Sequence, residues 1–177
     1  MKLLIEKPSL KSLVRVAMLA CIAVVLHGVE AALPILTAVP GGKLGLANVV
    51  TVLVLYCYGG RYAVCVSVLR TVVACLLFTG PSSLIYSLFG ALFSFVIMAS
   101  LLRLLKSRVS PVGLCIAGAA AHNFAQVACA AAMLGNAHIF SYFAPLSFLS
   151  AASGFATGMG VLWILKYQST ILKETNT

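Results

Sequence analysis

Long apolar stretches separated by short polar breaks run along the whole of this 177-residue chain. A helix that crosses a bilayer needs roughly 20 mostly apolar residues, and by that measure we predict six transmembrane helices. The second segment is short for a full crossing, so we expect it to be tilted or extended by the loop before it. The expected ranges are Leu13 to Leu33, Leu44 to Tyr58, Tyr62 to Phe78, Ser83 to Leu105, Pro111 to Leu134 and Ile139 to Leu165. The predicted fold is an all-α, polytopic membrane protein with residues 1–177 in one six-helix domain.

Glycine and proline mark the breaks between these segments, because both residues interrupt a helix. The loop after the first helix contains several of them and would act as a lid over a site on that side. Proline at the start of the fifth segment fits the first turn of a helix, where its missing N–H does no harm. The breaks lie at Pro34, Pro40 to Gly42, Gly59-Gly60, Gly80-Pro81, Ser110-Pro111 and Gly135-Asn136.

Composition supports the membrane assignment. Hydrophobic residues make up 62% of the chain, charged residues make up 8%, and the mean hydropathy is +1.11. Such a chain has too few polar residues to cover a water-facing surface, which excludes a soluble domain. The first apolar segment is followed by others and not by a soluble domain, so we interpret it as a retained helix rather than a cleaved signal.

The basic residues predict the orientation. If the N-terminus is cytoplasmic, the outer loops contain only Lys43, and ten cations fall on the inner side, as the positive-inside rule requires. Both termini are then cytoplasmic. The net charge of +9 is spread over helix ends and forms no clustered face, so nucleic-acid binding is not expected. The inner cations are Lys2, Lys7, Lys11, Arg15, Arg61, Arg103, Lys106, Arg108, Lys166 and Lys173.

A few polar groups lie within the apolar segments, where an ionisable side chain is costly and usually functional. Glu30 and Arg70 are the charged ones, and the chain has only three acidic residues in total. Four predicted helices each place such groups between the midplane and the outer surface. The candidate substrate-binding residues are His27, Glu30, Asn48, Arg70, His122, Asn123 and Gln126.

We expect Arg70 to anchor a carboxylate or phosphate, because its guanidinium offers a rigid fork of donors. Glu30 would accept from the ligand or balance Arg70, and His122 and Gln126 would determine hydrogen-bond specificity. Lys43 at the rim would favour anions. The alternatives are structural: Glu30 and Arg70 as a buried pair, His27 as a packing residue, Asn48 as a helix-end hydrogen-bonder, and Asn123 and Gln126 as contacts between helices.

The sequence lacks the motifs for nucleotide binding, for Mg²⁺-dependent prenyl transfer and for nucleophilic catalysis. Gly42-Lys43 is followed by Leu44, so there is no phosphate-binding loop for a nucleotide. The chain has no Asp, so the carboxylate clusters that hold Mg²⁺ for prenyl transfer are missing. No Ser-His-acid or Cys-His spacing supports nucleophilic catalysis. We therefore expect no catalytic residue, no cofactor and no metal site.

The positions of small residues predict where helices pack against one another. The six cysteines form no Cys-x-x-Cys and all lie in apolar segments, which indicates buried packing residues rather than disulfides or metal ligands. Gly154-x-x-x-Gly158 and Ala156-x-x-x-Gly160 allow close approach of helices. We expect these two motifs to pack within the molecule, and the alternative is a contact with a second molecule.

Three segments carry a family resemblance: Leu44 to Asn48, Ser67 to Arg70, and Ala121-His122-Asn123-x-x-Gln126. They resemble the Gx transporter family of bacterial membrane proteins, also labelled heptaprenyl diphosphate synthase component I. That family is similar to the substrate-binding S components of energy-coupling factor (ECF) vitamin transporters. The resemblance covers about Arg15 to Leu165.

The resemblance implies six helices, an outward pocket, a place in the bacterial cytoplasmic membrane, and uptake of a vitamin or precursor. It also implies partners, namely a transmembrane coupling protein and two ATPases. Such partners dock on an Ala-x-x-x-Ala stripe in the first helix, and this sequence departs from it. Ala17 is followed four residues later by Cys21, and Ala20 by Val24.

Three functions remain open. The first is a substrate-binding subunit of an ECF-type transporter for a small anionic or amphipathic molecule. The second is a membrane accessory of heptaprenyl diphosphate or quinone-precursor synthesis. The third is an autonomous carrier coupled to protons through Glu30 and His122.

Overall fold

A computed structural model describes residues 9–32, 45–105 and 108–174, with side chains as far as Tyr167. This part of the chain folds into six α-helices and contains no strand. Three short helical turns of other types complete it: a π-helical turn at Cys75–Thr79 and 3₁₀ turns at Pro81–Ser83 and Ala137–Tyr142. The α-helices are α1 (Leu10–Ala31), α2 (Leu46–Cys57), α3 (Gly60–Ala74), α4 (Leu84–Leu105), α5 (Pro111–Leu134) and α6 (Phe143–Glu174).

The predicted all-α membrane fold is confirmed. With their adjoining turns, five of the described helices are long and apolar enough to cross a bilayer. The exception is α2, which has only 12 residues and is the segment that the sequence predicts to be short. The predicted loop from Pro34 to Lys43, with its proposed lid, lies outside the described residues.

Local sequence explains the helix ends. Ser110 caps α5 by accepting a hydrogen bond of 3.0 Å from the Gly113 amide, and Pro111 occupies the first helical position. Gly135 closes the same helix in the left-handed region, with φ of 61°, where a residue without Cβ is favoured. Ser9 and Ser12 form a capping box at the start of α1.

The helices pack in two groups of three. The first group joins α1 to α2 and α3, and the second places α5 between α4 and α6. The groups meet where α3 lies against α4 and where α2 contacts α5 and α6. The apolar core fills this junction with fully buried side chains from both groups, including Val52, Val54, Met98, Leu114 and Val161.

The contact between α5 and α6 is close because α6 presents glycine to it. A Cβ at Gly154 would lie 2.6 Å from the Ile116 Cα, and one at Gly158 would lie 2.5 Å from the Val112 Cα. The predicted intramolecular role of this Gly-x-x-x-Gly motif is confirmed. The second motif, Ala156-x-x-x-Gly160, does not form a close helix contact in the described structure. Ala156 is exposed, and a Cβ at Gly160 would meet nothing within 4 Å.

Large apolar side chains cover the outside of the bundle, including Met18, Ile22, Phe148 and Trp163. On a soluble protein such a surface would aggregate, whereas in a bilayer it faces lipid, so the chain is a multi-pass membrane protein. The expectation that every cysteine is buried is wrong for Cys21 and Cys65, which are exposed. A thiol is small and apolar enough to face lipid. All six cysteines are free.

Candidate functional site

A cavity of about 40 Å³ lies between the two groups of helices, near the end of the bundle where α1 finishes and α2 begins. By the usual measure this space holds a few water molecules. The first group of helices, together with the residue that precedes α2, lines it with His27, Glu30, Gly45, Asn48, Arg70 and Thr71. The second group lines it with Ser87, Ala119, His122, Asn123, Ser153 and Thr157.

Arg70 is held in place by α2. Its Nε donates to Thr51 Oγ1 at 3.1 Å, and its Nη2 donates to Asn48 Oδ1 at 3.0 Å. These acceptors are three residues apart on α2 and therefore share a face. Arg70 as a whole is only 6% exposed. Because it carries five N–H donors, two hydrogen bonds leave others for a ligand.

Glu30 supplies the negative charge of the cavity and is also buried. Its Oε1 accepts a 2.5 Å hydrogen bond from the amide of Gly45, the N-cap residue of α2. Gly45 has φ of 72°, a conformation that favours glycine, and no side chain caps this helix locally. The carboxylate therefore acts as a cap from α1 at the positive end of the α2 dipole, and it also attracts the Arg70 guanidinium.

The two histidines enter the cavity from opposite groups, His27 from α1 and His122 from α5. His122 lies against Gly90 of α4. A Cβ on that residue would be 3.0 Å from the imidazole Cε1 and 3.0 Å from the His122 carbonyl oxygen. These separations are tighter than ordinary van der Waals contact, so glycine at position 90 leaves the space that the imidazole occupies.

Asn123 joins α5 to α6 and lines the cavity as well. Its Nδ2 donates to Ser150 Oγ at 2.6 Å and to the Leu146 carbonyl at 3.4 Å. Ser150, Ser153 and Thr157 follow one another along one face of α6, and all three are buried. The side chain thus performs the helix-joining role that the sequence left as an alternative, while part of it remains at the cavity wall.

Six of the seven candidate residues share this cavity, and Gln126 does not. Gln126 is half-buried one turn further along α5 than His122 and is not among the lining residues. Lys43, which was expected at the rim, lies outside the described residues.

Sequence reasoning missed Thr51 and the hydroxyl residues of α3, α4 and α6. For α6 a signal exists, because Ser150, Ser153 and Thr157 repeat at helical spacing. For Thr51 the signal is its position three residues after Asn48. Single serines and threonines elsewhere give none, since they are common in membrane helices.

The arrangement provides one permanent cation, one carboxylate, two imidazoles and several neutral hydrogen-bonding groups. Within the described ranges, no group of three His, Cys, Asp or Glu residues is placed to hold a metal ion. These groups can bind a small polar molecule through hydrogen bonds and charge.

A family model described as heptaprenyl diphosphate synthase component I matches residues 19–162. The match includes all six α-helices in whole or part and every residue that lines the cavity. Comparison with curated proteins and with solved structures gave no match. The family model covers most of the chain, as the resemblance noted in the sequence predicts, and the chain belongs to the heptaprenyl diphosphate synthase component I family.

Proposed function

We propose that this protein is the substrate-binding membrane subunit of an ECF-type transporter. It takes up a small polar molecule through the cavity between its two groups of helices, and separate ATPases supply the energy. The orientation that the basic residues predict places the cavity in the outer half of the membrane, where it would receive the molecule from outside.

One observation carries the proposal. Three helices bring four ionisable groups to a single cavity, namely His27 and Glu30 from α1, Arg70 from α3 and His122 from α5. His122 is half-buried, and the other three are buried. A structural ion pair alone needs neither imidazole, and histidines used only for packing would not have to share a cavity with both charges. Buried charges in a bilayer usually mark the pathway of a ligand or an ion.

Partners are part of the proposal. The family description speaks of a component, which is in keeping with a protein that works with other subunits. Ala17 and Cys21 lie four residues apart on α1, and both are exposed on the outer surface of the bundle. This face offers the small residues that a coupling protein would need for close helix packing, whereas Ala20 is buried and has no such role.

The test is mass spectrometry of small molecules that remain bound after purification in mild detergent. Wild-type protein should retain one polar compound in stoichiometric amount, and Arg70→Met should lose it. Arg61→Met is the matched control, because Arg61 is an exposed residue at the start of the same helix. Equal retention by all three proteins would reject the role of Arg70. Uptake of the compound should then require added ATPase partners.

A second candidate is favoured by the family description, which names a diphosphate synthase. Under that alternative, the chain is a membrane accessory of polyprenyl diphosphate synthesis and not a transporter. Reconstituted prenyl-transferase activity that disappears when this chain is omitted would support it, and unchanged activity would remove it.

A further inference from the structure

The two charged side chains in the described part of the cavity lining have opposite signs. Among the described lining residues, Arg70 is the one permanent cation and Glu30 is the one carboxylate. With both imidazoles uncharged, the described site carries no net charge. An anion entering it would leave a net negative charge buried in the bilayer, and a cation would leave a net positive one. Either outcome is costly in a medium of low dielectric constant.

The residue types in the lining add a second restriction on the ligand. Ala119 is the one described lining residue with a purely aliphatic side chain, and no Phe, Tyr, Trp, Leu, Ile or Val belongs to the set. A long hydrocarbon or a flat aromatic system would therefore find no large apolar side chain to pack against, in a space of only about 40 Å³. A diphosphate would also face a single guanidinium, although it carries at least two negative charges.

We propose, on the basis of the transport function above, that the ligand is a small dipolar molecule with no net charge. Its negative end contacts the Arg70 guanidinium, and its cationic or N–H-donating end faces Glu30. The carboxylate can accept this contact while keeping the Gly45 amide, because its two oxygens accept about four hydrogen bonds. The hydroxyl and amide side chains that the second group of helices contributes to the lining surround the middle of the ligand.

Pairs of molecules with equal shape and different charge test this inference. Glycine and propionate differ only in an ammonium in place of a methyl group, as do β-alanine and butyrate, and 4-aminobutyrate and pentanoate. Isobutylamine has the shape of glycine with the carboxylate replaced. Each probe is titrated at pH 7.5 into the ligand-free protein in lipid nanodiscs, and the dissociation constant is measured by calorimetry.

We expect the amino acid of the best-fitting length to bind at least about tenfold more tightly than its isosteric anion. Isobutylamine should bind as weakly as the anions. Glu30→Gln should reverse the preference, because the site then gains a net positive charge while the amide oxygen can still accept from Gly45. Thermal unfolding of this variant near the wild-type temperature verifies that it is folded.

The inference is overturned if the wild-type protein binds an anion as tightly as its amino-acid isostere, if Glu30→Gln leaves the preference unchanged, or if no probe binds. These results do not decide the transport function, which depends on the co-purified compound and on its loss in Arg70→Met. A co-purified compound that carries net charge would refute the ligand class and leave the transport role standing.

Discussion

The helices of the first three-helix group are held together by different interactions from those of the second. In α1–α3 the contacts near the cavity are electrostatic: Glu30 caps α2, and Arg70 binds two side chains of the same helix. In α4–α6 the closest contacts are steric, with Gly154 and Gly158 bringing α6 onto the backbone of α5, and a hydrogen bond from Asn123 to Ser150 joins the same two helices. The first group supplies both permanent charges of the cavity, and the second supplies neutral donors and acceptors on a tightly packed support. Removing charge should therefore damage the first group, and adding volume should damage the second.

The largest effect is expected from Arg70→Met. It leaves the Glu30 charge buried without its cation, which typically costs about 3–5 kcal/mol. The double variant Glu30→Gln/Arg70→Met should recover much of this loss, because neither charge then remains, yet it should bind no ligand. Unfolding by sodium dodecyl sulfate in mixed micelles gives the free energies. A double variant as unstable as Arg70→Met would show that charge is not the cause.

Thr51→Val isolates one hydrogen bond of the first group. The substitution keeps the shape of a fully buried residue and removes the acceptor for Arg70 Nε. A hydrogen bond to a charged group contributes about 1.5–3 kcal/mol, and we expect a loss of stability in that range. Thr71→Val is the comparison, because the Thr71 hydroxyl donates to a backbone carbonyl of its own helix. Equal losses for the two variants would argue against a special role for Thr51.

Gly158→Ala tests the steric contact of the second group. The added methyl would meet the Val112 Cα, and forcing α6 away from α5 should cost about 1–3 kcal/mol. Gly160→Ala is the matched control two residues along the same helix, where a Cβ meets nothing within 4 Å. We expect the control to be neutral or slightly stabilising, since alanine favours helix. The same unfolding measurement compares them, and similar stabilities would contradict the close-packed account.

Gly90→Ala should have the smallest effect on stability, about 1 kcal/mol or less, because the His122 imidazole and carbonyl oxygen, both 3.0 Å from the added Cβ, need to move by only a few tenths of an ångström. Its effect should appear at His122 instead. The chain contains three histidines, so their NMR signals can be assigned by substitution. We expect the His122 resonance to shift and that of the exposed His138 to stay in place. Unchanged His122 signals would show that position 90 does not position the ring.

Much of the fold follows from sequence because a bilayer imposes simple demands. Apolar length predicts the helices, and residues such as Pro111 and Gly135 end them for local reasons. The pairing of helices is harder, although Gly154 and Gly158 indicate a close contact without naming α5 as its partner. The π-helical turn at Cys75–Thr79 has no signal that we recognise in the residues themselves.

The site was predictable where its residues are rare in membranes. Glu30, Arg70, His27 and His122 stand out because an ionisable group is costly there. Thr71 and Ser87 do not stand out, because a hydroxyl can bond to its own helix backbone and needs no cavity. Gln126 has the right chemistry and the wrong angular position, which only the packing of α5 against its neighbours reveals.

The most direct test of a shared cavity is a crystal structure of the protein purified with whatever molecule it retains. We predict electron density for a small molecule between the two groups of helices, within hydrogen-bonding distance of Arg70 and bordered by His27 and His122. A structure in which the guanidinium and the imidazoles point into separate seams or toward lipid, with no space common to them, would contradict the account.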